Sequence, residues 1–161
     1  MKRTVNASLV AFALLLGLAG PVVAGPFEDA LAAWTRNDYA TALQIIRPLA
    51  VQGYAGGQYY LGIMYANGWG VLQDYAEAAR LYRLAADQGY ALAQNNLGVM
   101  YTNGQGVPQD YVQAYMWLSL AVARLPPGAN NAAKRRDLIA ATMTPAQIAE
   151  AQRLAREWKP K

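Results

Sequence analysis

The chain contains no histidine and no cysteine. Histidine is the usual general base of nucleophilic triads, and thiolates and imidazoles are the main zinc ligands, so the two absences exclude triad hydrolases, thiol chemistry and the common zinc sites. No disulfide can form either. Stability must therefore come from packing alone.

Charged residues are also scarce, at 15% of the chain. The net charge is +4, and removing Lys2 and Arg3 from the 14 basic residues leaves 12 against 10 acidic ones, a net charge of +2. So small an excess of positive charge does not indicate a polyanionic ligand. We therefore predict no nucleic-acid partner.

No apolar run reaches the ~20 residues that a membrane-spanning helix needs. The run over 5–18 is shorter, follows two basic residues and leads into small side chains that end at Ala24. This order is typical of a secretory signal peptide, which we place at residues 1–24 with cleavage after Ala24. An uncleaved anchor is the alternative. The mature protein is then periplasmic or secreted, has no cysteine for a lipid and has no stable membrane insertion.

What the chain does have is an internal repeat. The 36 residues from Asp38 align without gaps on the 36 residues from Asp74, and 20 of 36 positions are identical. A third copy starts on the same period at Asp110 and departs from the pattern at Pro126-Pro127. A fixed period of this length is the mark of a stacked repeat architecture.

Each repeat contains the pattern of two helices. Asp74 precedes a helix that starts near Tyr75, with Glu77 completing a capping box, and Gly89 ends that helix. A second helix is predicted over 91–103. Gly62 and Gly98 lie inside such helices, where a glycine costs ~1 kcal/mol relative to alanine, so we expect a neighbouring helix to approach closely at both.

Two segments carry a more specific motif, Ala-Gln-x-x-Leu-Gly-x-Met-Tyr-x-Asn-Gly-x-Gly-Val, present as Gln58 to Val71 and Ala93 to Val107. In these residues the chain resembles the Sel-one-like repeat (SLR) family, a branch of the tetratricopeptide-type helical repeat proteins. The resemblance implies a scaffold or adaptor role and no cofactor. The predicted fold is all-α, a short α/α solenoid of helix-turn-helix repeats with a C-terminal helical cap.

We divide the chain accordingly. Residues 25–53 form a degenerate first helical pair, 54–89 and 90–125 are full repeats, and 126–161 are capping helices. Within the cap, one helix is predicted over 130–143. A last helix runs through Trp158, with Thr144 as its N-cap, proline at the first helical position and Gln147 at the third.

In tetratricopeptide-type solenoids the first helix of each pair lines the concave groove, and the resemblance transfers that role to the helices that begin the two full repeats. The groove wall or its edge is then formed by Tyr59, Tyr60, Ile63, Asn95, Asn96, Val99 and Thr102. Trp69 is either an interaction anchor or a residue that packs its own loop, because Gln105 replaces it one repeat later. Rings and amides together suit a protein or peptide ligand.

The predicted function is therefore a non-catalytic adaptor that binds a protein or peptide partner in this groove. Two alternatives stay open. One is a peptidoglycan-binding or peptidoglycan-processing factor that uses surface carboxylates, although Asp38, Asp74 and Asp110 are better explained as repeated helix caps. The other is a structural protein of the cell envelope that self-associates, for example as a homodimer.

Overall fold

The computed structural model of the protein describes residues 24–161. The predicted signal peptide lies outside the described residues except for Ala24, where the first helix begins. Residues 24–161 form α-helices, one short 3-10 turn and no β-strand. The helices are α1 (Ala24–Thr35), α2 (Tyr39–Val51), α3 (Ala55–Asn67), α4 (Tyr75–Asp87), α5 (Ala91–Asn103), α6 (Tyr111–Val122), α7 (Ala132–Ala140) and α8 (Pro145–Glu157).

The repeated aspartates begin every second helix. The carboxylate of Asp38 accepts a hydrogen bond from the Thr41 amide at 3.1 Å, and Asp74 and Asp110 make the same bond in α4 and α6 at 3.0 Å. Each bond satisfies an amide that the first turn leaves without a partner. The predicted capping box at Asp74 forms only by half, because the Glu77 side chain turns to Arg80 at 2.6 Å instead of returning to the cap.

The two glycines inside α3 and α5 mark close helix contacts, as predicted. A Cβ on Gly62 would lie 2.7 Å from the ring of Tyr82 in α4, and one on Gly98 would lie 2.7 Å from Leu118 in α6. No side chain fits at those distances. Glycine thus lets α3 pack directly on α4, and α5 on α6, at the same point of each repeat.

The helices stack in chain order. From α1 to α6 each helix packs on the one before and the one after it, and α6 then contacts both α7 and α8. The buried side chains form three clusters along this stack, one centred on α1 to α4, one on α4 to α6 and one on α6 to α8. This layered core is what stacked helix pairs produce, and the predicted all-α repeat fold is confirmed.

The C-terminal segment differs in part from its prediction. Asn130 and Asn131 adopt left-handed backbone conformations, so no helix starts at residue 130; a 3-10 turn, Ala129–Asn131, precedes α7, which ends at Ala140. The last helix follows the prediction closely. Thr144 and Gln147 form a complete capping box with proline at the first position, and Trp158 stands just beyond the helix as its C-cap.

Candidate functional site

Nine aromatic rings from α1, α3 and their neighbours form one connected cluster, which we call the aromatic network. Its members are Phe27, Trp34, Tyr39, Tyr54, Tyr59, Tyr60, Trp69, Tyr82 and Tyr90. Successive rings are 4.9 to 6.0 Å apart, centroid to centroid, mostly edge to face. Such pairs each contribute about 0.5–1.5 kcal/mol beyond the area they bury. The network therefore fixes the position of α1 on the rest of the stack.

Tyr60 is the centre of this network. Its ring contacts Phe27 at 5.6 Å and Trp34 at 5.1 Å, both from α1, and Tyr59 at 5.2 Å on its own helix. Tyr59 in turn contacts Tyr90, at the start of α5, at 5.1 Å. Half-buried rings thus run from the first helix pair to the third across the surface of α3.

Trp69 belongs to the same network. Its indole stacks on Tyr39 at 4.9 Å with the planes 14° apart, and it meets Trp34 edge to face at 5.4 Å. Gly68 ends α3 in a left-handed conformation and so directs the loop back toward α2. Of the two interpretations of Trp69, packing of its own loop is the one for which the structure gives contacts.

Tyr59 and Tyr60 of the first full repeat correspond to Asn95 and Asn96 in the second. At the asparagines the surface has a pocket in place of the aromatic rings. A cavity of about 190 Å³, the α5 pocket, opens between α3, α4, α5 and α7. Its apolar part is formed by Ala66, Val99 and Met100. The polar groups at the pocket are supplied by Tyr75, Tyr82, Asn96, Gln105 and Arg135.

A chain of hydrogen bonds connects the cation of this pocket to Asn96, which lines the pocket beside the buried Tyr82. The Arg135 guanidinium donates to Asn95 Oδ1 at 3.2 Å, and Asn95 Nδ2 donates to Asn96 Oδ1 at 3.2 Å. Burial raises the pKa of Tyr82 well above its usual range, and a hydrogen bond with Asn96 opposes this only in part. The Tyr82 hydroxyl therefore stays protonated and can act as a donor.

The pocket and the helices beside it carry little charge. No charged residue occurs in α3 or α5, and Arg135 is the one charged residue that lines the α5 pocket. Tyr59 and Tyr90 of the network are neutral as well, since burial raises the pKa of Tyr59 and raises that of Tyr90 to about 12. The surface offers ring faces, hydroxyl and amide groups and one guanidinium.

Comparison with known proteins identifies the repeat. The Sel1 repeat model matches residues 55–90 and 91–124. The solved structure of a Sel1 repeat protein from Oxalobacter formigenes is 33% identical, with a TM-score of 0.60, over 70% of this chain and 85% of that one. The chain belongs to the Sel1 repeat family. Proteins of this family generally mediate protein–protein interactions and are typically non-catalytic scaffolds.

A second structure extends the likeness beyond the two matched repeats. A protective antigen of uropathogenic Escherichia coli with an SLR fold is 28% identical over 83% of this chain, with a TM-score of 0.76. The alignment covers only 29% of that protein, so this Sel1 repeat chain spans under a third of its length. No curated protein sequence matches the chain significantly.

The structure distributes the predicted binding residues of this Sel1 repeat protein between two places. Tyr59, Tyr60 and Trp69 belong to the aromatic network, and Asn96 and Val99 line the α5 pocket. Ile63 and Thr102 are half-buried and belong to neither place.

Asn95 differs from Asn96 in its exposure. It is only 4% exposed and lies beneath the surface, because α7 brings Arg135 across it. A partner therefore cannot touch Asn95 directly, and its role is to hold Arg135 and Asn96 in place.

Sequence reasoning also missed residues that the structure adds to the site. Arg135 belongs to the basic run 134–136, and such a run is most simply interpreted as a solvated helix face. Phe27 and Trp34 are spaced seven apart, which places both on one face of α1. That spacing was the available signal for their part in the site.

Most carboxylates of the Sel1 repeat protein already serve the fold. Three cap helices, and four others form ion pairs within one helix, with Arg80, Arg136 and Arg153 as partners. Asp87 pairs with Lys161 at 3.0 Å. Within residues 24–161, no three acidic side chains come together as a metal site would require. These contacts give no support to the carboxylate-dependent alternative.

One further finding concerns membranes. Over the part of the chain that the structure describes, no helix combines the length and the apolar character that crossing a bilayer requires.

Proposed function

We propose that this protein is an exported adaptor that binds a segment of a partner protein along the surface of α3 and α5 and catalyses no reaction. The observation that carries the proposal is that the aromatic network and the α5 pocket are continuous. Tyr82 belongs to both, since its ring contacts Tyr59 at 6.0 Å and its side chain lines the pocket beside Asn96. A bound segment would meet rings first and hydrogen-bond donors next.

The chemistry of this surface favours a peptide over a charged metabolite. Because α3 and α5 carry no charge, only Arg135 would attract a compact anion. Half-buried rings provide apolar contact area at little cost in side-chain entropy, and the amide and hydroxyl groups can satisfy peptide carbonyls. This is also the face that tetratricopeptide-type repeats turn to the inside of their solenoid.

Peptide selection tests the proposal. A random peptide library displayed on phage would be selected on the purified protein, and the affinities of the selected peptides would then be measured for two matched variants. Val99→Arg fills the α5 pocket, whereas Gln44→Arg adds the same charge at an exposed position of α2. We expect Val99→Arg to weaken binding at least tenfold and Gln44→Arg to leave it unchanged.

Circular dichroism would establish that both variants keep the helical fold. Asn96→Ala provides a second, smaller change in the pocket if Val99→Arg unfolds the protein. Peptides that bind all three variants equally would show that this surface is not the binding site.

Export has a separate test. Residues 1–24, fused to an alkaline phosphatase that lacks its own leader, should give an enzyme that is active in the periplasm of a bacterial host. The order of charges, apolar residues and small residues supports this. The same fusion with Lys2 and Arg3 changed to glutamate serves as the control. An inactive parent fusion would contradict export.

Self-association stays a prediction with a simple measurement. A sedimentation-equilibrium mass near 17.4 kDa for the full chain at every concentration would contradict it, and a mass that doubles as concentration rises would support it.

A further inference from the structure

A second groove lies on the other side of α4 from the α5 pocket. It runs between α2 and α4, has α3 as its floor and encloses about 500 Å³. We call it the α2–α4 groove. Leu61 and Tyr65 of α3 form its floor, Leu81 of α4 lines its wall, and Arg47 stands at its edge. Tyr75 and Tyr82 of α4 face the α5 pocket, whereas Leu81 faces this groove, so the two surfaces are separate.

The rim of the α2–α4 groove carries exposed apolar side chains beside the Glu77–Arg80 ion pair, which also lines it. Val51 is 82% exposed and Leu84 is 40% exposed, and both line the groove. Leu72, 91% exposed, lines the adjoining cavity that shares Arg47 and Tyr65 with it. Scattered exposed apolar residues are ordinary, but three around one groove indicate an interaction surface.

The repeat itself shows what covers such a groove. Thirty-six residues later, Leu84 becomes Leu120, which is buried at 6% exposure, and Val51 becomes Asp87. The end of α8 lies over this equivalent groove, which runs between α4 and α6. Trp158 packs on Trp117 at 6.3 Å, and Lys161 pairs with Asp87 at 3.0 Å. The equivalent surface is therefore covered by an amphipathic helix with a tryptophan at its end.

The groove between α4 and α6 is also filled from below. Trp117 occupies the position of Leu81 and is 1% exposed. The guanidinium of Arg83 lies 5.1 Å from the Trp117 ring centre and 5.4 Å from that of Tyr101. Contacts of this kind are worth about 0.5–2 kcal/mol. In the α2–α4 groove Tyr65 is present, but the smaller Leu81, buried at 2% exposure, stands in place of the indole.

Arg47, the counterpart of Arg83, consequently has no indole to stack on, because Leu81 stands where the next repeat has Trp117. It forms no ion pair with a carboxylate of residues 24–161. An exposed guanidinium that forms no ion pair can accept an aromatic ring on its face and a carboxylate at its edge. The groove is thus complementary to an aromatic side chain with an acidic group close by.

We propose that the α2–α4 groove docks an amphipathic helix of a partner protein that places a tryptophan over Leu81 and an acidic side chain, one turn away, against Arg47. The helix repeats on this groove the contact that α8 makes on the next one. The charged side chain of this helix is opposite in sign to Lys161. Val51 stands in place of Asp87 and cannot pair with a lysine, whereas Arg47 can pair with a carboxylate. This surface is independent of the one proposed for peptide binding on α3 and α5.

The test uses indole-3-propionate, which joins the ring and the carboxylate, and compares it with indole-3-propanol, which has the same ring and no charge. Binding to the purified full chain would be followed by NMR through the amide signals of the groove residues. We expect the acid to bind about threefold more tightly than the alcohol, as an exposed ion pair allows, with shifts at Arg47 and Leu81. Equal affinities, or shifts only at the α5 pocket, would overturn the proposal.

Two variants localise the effect. Leu81→Trp places in this groove the residue that the next repeat already carries, and it should abolish binding of both compounds. Arg47→Glu changes an exposed side chain and keeps the fold intact; it should abolish the preference for the acid. Val99→Arg, on the other face, should bind as the parent does. Binding that survives Leu81→Trp in a folded variant contradicts the docking site.

The occupant is tested with helical peptides. A library of designed amphipathic helices, selected on the full chain with Val99→Arg present to remove binders of the other surface, should yield peptides with a tryptophan and an acidic residue one turn apart. Selected helices that lack this pair contradict the stated partner chemistry. A dimer in sedimentation that Leu81→Trp converts to a monomer would show that a second copy, not a different protein, occupies the groove.

Discussion

The loop after α5 provides a sharp test of how the repeats interlock. Gly104 and Gly106 share a left-handed backbone, with φ of 65° and 68°. A Cβ on Gly104 would meet Gln109 Cβ at 3.4 Å, an ordinary contact. A Cβ on Gly106 would lie 2.8 Å from the Ala76 nitrogen and nearer still to the carbonyl of Tyr75. These are backbone atoms at the start of α4, which cannot rotate away.

The two alanine variants should therefore differ in a predictable way. In both, a left-handed alanine costs about 1–2 kcal/mol. Only Gly106→Ala adds the clash, for which overpacking costs of about 1–3 kcal/mol are typical. We expect Gly104→Ala to lower the free energy of unfolding by about 1 kcal/mol and Gly106→Ala to lower it by about 3 kcal/mol.

Urea unfolding followed by circular dichroism measures both values, and Gly104→Ala is the matched control because it carries the backbone cost alone. Equal losses would refute the reasoning, since they would mean that the loop is free to move off α4.

Three further predictions concern caps and titrating groups. Thr144→Ala removes the cap of α8 and should lower the free energy of unfolding by about 1 kcal/mol in urea; an unchanged midpoint would contradict the capping box. Burial raises the pKa of Tyr90 from 10.0 to about 12, so its contribution to stability is complete below pH 10 and is lost as the pH rises through 12. Tyr90→Phe should reduce the pH dependence of the free energy of unfolding between pH 10 and 12. An unchanged pH dependence would contradict the raised pKa of Tyr90. Hydrogen bonds from Thr41 lower the pKa of Asp38, so its contribution is present above its unfolded pKa of about 3.9 and is lost as the pH falls through the folded value. Asp38→Asn should make acid unfolding less steep, and a parent-like acid transition would argue against the cap.

The helices were predictable because their signals are local. Asp74 at a cap, Gly104 after a last turn and Pro145 at a first turn each act within a few residues, and the prediction of 91–103 for α5 is confirmed to the residue. The start of α7 was not predicted, because Asn130 and Asn131 adopt a left-handed backbone that many asparagines do not.

The site was predictable only in outline. The groove assignment included Tyr60 and Asn96, and both belong to the surfaces described above. It could not distinguish Asn95 from Asn96, since burial of Asn95 depends on Arg135, which is 40 residues away in the chain. The aromatic network depends likewise on α1 stacking on α3. Contacts of this range depend on the packed structure and leave little periodic trace in the sequence.

The placement of the four tryptophans has a consequence for spectroscopy. Trp34 and Trp69 form one pair, 5.4 Å apart, and Trp117 and Trp158 form another, 6.3 Å apart. Among residues 24–161, guanidinium groups lie over the second pair alone, and they are those of Arg83 and Arg124. Each end of the stack thus carries its own fluorophores in a distinct environment. Replacing either pair with phenylalanine would give a protein whose emission reports the melting of one end alone.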